Sequence, residues 1–458
     1  MSNTQSSVQA LRLESVCRAY IGFIWMYRHT DALLSLKEAV SKVQKAVDLM
    51  VAKNPVLSGT LAQKKDASEQ VTIDYKSNLE SVSTVPVSPV KVSLRYKLVE
   101  KSGFDQNRFP ELFGHLKCLT PDIEGLPVLR LSIFGFECGS LAVAVLCHHI
   151  LMDARAAIMV AEGIARACCC YEEKGECLEL WHDRNVIRKL LQEHALSVSA
   201  KPSDVCQHMD DIIARSSESN SEGLLQAIIA TEAKNKDCQF RINKSKIARL
   251  KSLPNLDRSI AGLSANDLVM ALLWRTWSRI LVTLGSSFPG YTYTGGPIDM
   301  REKLNGHTSS NTSEYLGNMV LPHPISATKE FVVQQPLLSV ALLLNQHKRR
   351  ASVLLYKEFA ERVESGAPDI LATVAVSDSP VITFSNMTRL PIYSVDFNLD
   401  PAKNKADSVQ LCSFESPLMA FAVDDGAGGF LINIVLPEIV AQAFADDLEF
   451  TEYADIIY

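Results

Sequence analysis

Leu141–Ala154, LAVAVLCHHILMDA, is an apolar run that ends in two histidines and is followed by an aspartate. With side chains alternating along a strand, Val143, Val145, Cys147 and His149 fall on one face, and Ala144, Leu146 and His148 on the other. Only one histidine then faces a given site. Upstream, Pro127–Phe136 is a second extended apolar run. Gly139, in the intervening Glu137–Ser140, offers a turn, so the two runs make a hairpin that delivers the histidines. From Leu151 the period becomes helical, with Ala156, Ala157, Val160, Ala161, Ile164 and Ala167 on one side, which puts Asp153 in the first turn of a helix.

The rest of the chain alternates in the same way. Leu36, Val40, Val43, Val47 and Met50 recur at helical spacing until Asn54 and Pro55, before an extended Val56–Leu61. Val71–Tyr75 and Val90–Leu98 read as strands and Phe109–Cys118 as a short helix. Around Ser197–Gly223 the composition turns to Ser, Asp, Asn and Glu, which suits a surface crossover. Beyond it come a strand at Cys238–Ile242, a basic helix at Lys244–Ser252, and an apolar helix opened by a capping box of Ser264 and Asp267. Tyr291–Ile298, Val381–Ser385 and Ile392–Phe397 read as strands. Leu418–Val423 and Phe430–Leu436 form a hairpin around Asp424–Gly429, followed by a helix from Pro437 to about Asp447. Helices and strands alternating in both halves predict an α/β fold in two domains, 1–190 and 236–458, joined by the crossover 191–235.

Composition narrows the function classes. A chain of 458 residues with 47% hydrophobic content can bury large cores. A net charge of −6 supplies no basic field for nucleic acid. The eleven cysteines form no regular framework, and MSNTQSSVQALRLES has no basic segment leading into an apolar one, so a cytoplasmic protein with reduced thiols is expected. The longest apolar runs fall far short of the roughly 20 residues that span a bilayer, so no membrane partner is expected.

His149 is the group on which chemistry centres. A histidine at a strand end can sit neutral near pH 7, take a proton from an alcohol or amine and return it to a leaving group. Asp153 either fixes the imidazole tautomer or simply complements a helix macrodipole, and a His-x-x-x-Asp alone is weak. Cys147, His149 and Asp153 are all ligand types, yet no second pair has ligand spacing and no metal is expected. Cys168–Cys170 lie in a mainly apolar helix and suit packing, as do Trp274 and Trp277. No G-x-S-x-G elbow, P-loop or G-x-G-x-x-G is present, and Gly426, Gly428 and Gly429 precede a strand, as a hairpin turn does.

Taken in order, several segments resemble the BAHD-type acyl-CoA-dependent acyltransferases. They are PVLRLSIFGFECGSLAVAVLCHHILMDA, LSANDLVMALLWRTW, GPIDMREKL followed by EYLGNMV, FSNMTRLPIYSVDFNLD, and the closing GAGGFLINIVLPEIVAQAFADDLEF. The first matches the family's H-x-x-x-D-G region and the fourth its D-F-G-W-G region. Ala154 replaces the glycine of the former, and the latter becomes Asp396, Phe397, Asn398, Leu399 and Asp400. The family's aspartate near the N-terminus has no clear counterpart around Leu13–Tyr20. These departures resemble the divergent fungal secondary-metabolite and trichothecene-type O-acetyltransferases.

The resemblance implies two chloramphenicol-acetyltransferase-like α/β domains, each a mixed sheet with helices. It implies acyl-CoA, acetyl-CoA foremost, as co-substrate, with no bound cofactor, and a small hydroxylated acceptor such as a terpenoid or alkaloid. It assigns the general base to His149. It makes Asp153 a structural partner of Arg301, and Asp396 an architectural residue bonding Asn318. The residues that bind CoA are unknown from sequence, and a monomer is expected. Two alternatives stay open: N-acyl or condensation-type amide or ester formation, and a catalytically silent binding protein of the same fold.

Overall fold

The computed structural model describes residues 5–9, 18–63, 71–76, 85–120, 122–170, 180, 182–183, 189, 235–253, 262–284, 290–305, 311–364, 381–412 and 418–458. The chain divides into two compact units. The first takes Met1–Val186, Thr308–Met319 and Leu390–Glu415, and the second Ile187–His307, Val320–Arg389 and Ser416–Tyr458. The sequence reading assigns everything from 236 onward to a C-terminal domain, whereas two later segments group with the first unit. The expected crossover lies outside the described residues except for Asn235, which already opens a strand.

The first unit is built on a five-stranded sheet. Its order is Ser408–Leu411, Tyr20–Tyr27, Leu141–His148, Leu129–Phe136, Val87–Val92, antiparallel except for the last pair. Tyr20–Tyr27 and Leu141–His148 are buried at every position. A strand covered on both faces reads as a continuous apolar run. One face, carrying Tyr20, Ile24, Met26, Ala142, Ala144 and Leu146, packs on Tyr96, Val99, Phe104, Leu112, Phe113 and Leu116. The hairpin before the histidines turns at Gly139, whose φ of 81° is costly for any residue with a side chain. The helices Leu36–Lys53 and Ala154–Cys170 pack against each other. A smaller antiparallel sheet joins Gln5–Gln9, Val71–Lys76 and Thr60–Gln63.

The second unit carries a seven-stranded mixed sheet in the order Val320–Thr328, Tyr291–Asp299, Val381–Asn386, Met419–Asp424, Phe430–Pro437, Asn235–Ile242, Asp455–Ile456. Its long helix Ala265–Thr283 starts with the expected capping box of Ser264 and Asp267. Trp274 and Trp277 are fully buried in the core, and the Trp274 indole N–H donates to Thr292 Oγ1 at 3.2 Å.

Several local expectations need correction. Pro55–Ser58 is a 3-10 turn before the strand at Thr60, because proline presets the first turn of a helix. The strand expected at Val90–Leu98 spans Val87–Val92 and gives way to a helix at Tyr96–Lys101. Ile392–Phe397 contains a 3-10 turn, Ile392–Ser394, after Pro391. Val320–Thr328 is an edge strand despite Pro322 and Pro324, and its edge place is what lets it carry proline.

Candidate active site

The histidine strand ends one residue earlier than alternation implies. His148 N–H donates to Val128 O at 2.8 Å and pairs across from Tyr20, and His149 N–H donates to Ala19 O at 2.7 Å. The chain then turns. The N–H groups of Leu151 and Met152 both point back to His148 O, at 3.0 and 3.2 Å. His149 therefore stands on a turn, outside the pleat, and the residue is half-buried.

Asn318 fixes the chemistry of this imidazole. Its Nδ2 donates to His149 O at 2.7 Å and reaches Ile150 O at 3.5 Å. A carbonyl oxygen only accepts, so the amide nitrogen must lie on that side and Oδ1 must face His149 Nδ1, at 3.0 Å. That nitrogen then carries the proton, and Nε2 keeps its lone pair. Burial lowers the His149 pKa from its ordinary 6.5; its own backbone carbonyl, the Asp153 carboxylate and Asn318 partly offset the effect. The ring is neutral at pH 7, with Nε2 available as a proton acceptor.

Asp153 is 2% exposed and stands just before the helix, where its carboxylate divides between two backbone donors. Oδ1 accepts from Ala156 N–H at 2.9 Å, an N-cap bond, and Oδ2 from Met319 N–H at 2.9 Å. Consecutive residues of the Thr308–Met319 segment thus clasp the two ends of one turn, Asn318 at His149 and Met319 at Asp153. Arg301 belongs to the second unit and is 2% exposed, and its Nη1 donates to Asp299 Oδ1 at 3.1 Å.

Asp396 does not bond Asn318, whose amide is committed at both ends to His149 and Ile150. Its Oδ1 instead accepts from Asn398 N–H at 3.0 Å and meets the Tyr27 hydroxyl at 3.5 Å. Burial raises its pKa, against the bond from Asn398. Phe397 is fully buried edge-on to Trp25, with ring centroids 5.4 Å apart. Asn398 holds φ at 50°, a left-handed conformation that asparagine tolerates better than most residues, so the third position of the motif keeps a glycine-like backbone without glycine. Ala154, by contrast, is not among the residues with positive φ; it opens a regular helix and nothing there requires glycine.

Sequence reasoning passed over Thr120. Its Oγ1 lies 3.1 Å from His148 Nε2, a contact spanning 28 residues that no local pattern announces.

Comparison with known proteins bears on the family and the fold. The model of the Transferase family matches residues 16–451. Agmatine hydroxycinnamoyltransferase 1 of Oryza sativa subsp. japonica is 25% identical over 290 residues, covering 59% of this chain and 58% of that protein. The match thus spans little more than half of that relative's length. The structure of F. sporotrichioides TRI101 complexed with coenzyme A and T-2 aligns with a TM-score of 0.73 and 17% identity over 99% of this chain and 100% of that one. F. graminearum TRI101 with coenzyme A and deoxynivalenol gives 0.73 at 16% identity, with 99% and 100% coverage. Vinorine synthase gives 0.66 at 13% identity, with 99% of each chain covered. The fold is that of these proteins along essentially the whole chain.

Proposed function

The chain belongs to the Transferase family, and from that premise we propose that it is an O-acyltransferase, moving an acyl group, acetyl foremost, from acyl-CoA to a hydroxyl of a small secondary metabolite. The observation that carries the reading is the neutral His149 ring, locked with its proton on Nδ1 by Asn318. In this mechanism Nε2 removes the acceptor's hydroxyl proton as the oxygen attacks the thioester carbonyl. The tetrahedral intermediate then collapses with cleavage of the C–S bond, and the imidazolium returns the proton to the departing thiolate. Positive charge on the ring is transient. The Asp153 carboxylate favours that charge, and Asn318 Oδ1 strengthens its bond to Nδ1–H as the charge develops.

The TRI101 complexes with coenzyme A and T-2 or deoxynivalenol support acyl-CoA and a small-molecule acceptor as the substrate pair. The name of the rice relative supports a second reading, an amine acceptor, for which the same base serves. Purified protein incubated with acetyl-CoA and a panel of alcohols and amines, followed by thiol release and acceptor mass, separates the two. His149→Ala is expected to fold normally and lose transfer by about 10²–10⁴-fold. A variant that transfers near the wild-type rate would refute the base assignment.

A further inference from the structure

His148 is fully buried, has no part in the reaction just described, and yet makes three specific contacts. Its Nδ1 accepts from Ile150 N–H at 3.3 Å, its Nε2 lies 3.1 Å from Thr120 Oγ1, and its ring meets Tyr20 edge-on with centroids 4.7 Å apart. A backbone N–H only donates, so Nδ1 is unprotonated, Nε2 carries the hydrogen, and Thr120 accepts it. Adjacent histidines thus hold opposite tautomers. Tyr20 is itself pinned, its hydroxyl donating to Pro127 O at 2.6 Å.

We propose that His148 is a positioning residue for His149: by holding the Ile150 amide it fixes the peptide units whose carbonyls Asn318 grips, and so keeps His149 in its Nδ1–H form. The link is short. His149 O and Ile150 O are the acceptors of Asn318 Nδ2, and the peptide between them ends in the N–H that His148 binds. If that amide swings, Asn318 loses its reference and both orientations of its amide become accessible, with both tautomers of His149. Burial lowers the His148 pKa to about 3, so the ring keeps its acceptor nitrogen throughout the working pH range. This inference rests on His149 being the base.

The test uses two replacements of similar size. In His148→Asn the side-chain oxygen stands where Nδ1 stood and can hold the Ile150 amide. In His148→Gln the polar end reaches instead toward Thr120. Full-length protein labelled with 15N in histidine reports ring tautomers through nitrogen shifts, with His149 assigned from the signals lost in His149→Gln. The Asn variant is expected to keep a single Nδ1–H His149, and about a third or more of the wild-type kcat with acetyl-CoA and the panel acceptor turned over fastest. The Gln variant is expected to show mixed tautomers and a kcat lower by about tenfold or more, with the KM for acetyl-CoA within about twofold. Identical His149 signals in the two variants, or a pure Nδ1–H form in the Gln variant, overturn the inference. Should His148→Gln fail to fold, Thr120→Val carries the test by the same readouts, since it releases the other end of the ring; an unchanged His149 tautomer and kcat there are equally fatal. A His149→Ala protein that transfers normally refutes the base reading. Equivalent Asn and Gln variants beside an inactive His149→Ala refute this inference alone.

Discussion

Replacing Asp153 by Asn changes one oxygen into an NH2 group and leaves the side chain's size intact, yet the structure gives it a definite cost. The carboxylate accepts from Ala156 N–H and Met319 N–H, each at 2.9 Å, and is 2% exposed. Whichever way the amide is turned, one of those donors faces another donor. One charge-assisted bond is lost, worth about 1.5–3 kcal/mol, and a buried N–H is left unpaired at about 1–3 kcal/mol. These overlap, so about 3 kcal/mol is the expected loss. For a cooperative unit of roughly 150–250 residues, 1 kcal/mol moves Tm by about 2–4 °C, giving a fall of about 6–12 °C. Asp153→Ser, which can still cap the helix but is too short to reach Met319, leaves the Met319 N–H unpaired as well and is expected to lose at least as much. Calorimetric melts of the three full-length proteins measure this. If Asp153→Asn melts within about 1 °C of the wild type, the carboxylate is not what ties the Thr308–Met319 segment to the turn, and the clasp argument fails.

Three further expectations follow from the same groups. Arg301 is 2% exposed and donates to Asp299 at 3.1 Å, so Arg301→Ala is expected to destabilise the second unit, and its effect with Asp299→Asn is non-additive. Additivity within about 0.5 kcal/mol in denaturant titrations would exclude the pair. Because burial holds the His149 pKa below 6.5 and the Asp153 charge raises it, the plateau of kcat/KM is expected to extend below pH 6.5. Its acid limb should move lower still in Asp153→Asn, and a limb at or above pH 6.5 in the wild type contradicts the neutral-base mechanism. For His148, the unfolded chain binds a proton below pH 6.5 that the folded chain refuses until about pH 3, so stability falls as pH is lowered through that window. Its share of the slope is up to about 1.4 kcal/mol per pH unit and is lost in His148→Asn, whose stability should fall less steeply below pH 6.5 than the wild type's; urea titrations that give the two proteins the same pH dependence would refute it.

The sequence carried the histidine hairpin, the helix after it, the capping box at Ser264 and the closing hairpin, because each is specified by residues close together in the chain. What it could not carry was set by partners far away. Parity along Leu141–His148 predicts where His149 points only if the strand continues, and it stops because His148 O receives two amides from the turn. Asn318 stands out within EYLGNMV, but its partners are His149 and Ile150, more than 160 residues upstream, and not Asp396. Two of the departures from the family motifs have opposite physical explanations: Asn398 holds a left-handed backbone, which glycine would also allow, whereas Ala154 sits where none is needed. Tyr20–Tyr27 is buried on both faces like Leu141–His148, and its strand is settled by pairing with that distant segment.

The discontinuity of the first unit bears on how the enzyme is made. Its sheet is closed on one side by Ser408–Leu411, which pairs with Phe23–Met26, and its histidine turn is clasped by Asn318 and Met319. During synthesis at about 5–20 residues per second, these pieces leave the ribosome on the order of tens of seconds after His149 does. Until then the nascent sheet presents Tyr20–Tyr27 as an open, apolar edge, the kind of surface that invites pairing with another chain. A fragment ending before Asn235 would keep that edge permanently, and would hold His149 with no group to choose its tautomer. The two halves of this protein are therefore poor candidates for separate expression: the second half of the gene finishes the sheet on which the first half's histidine depends.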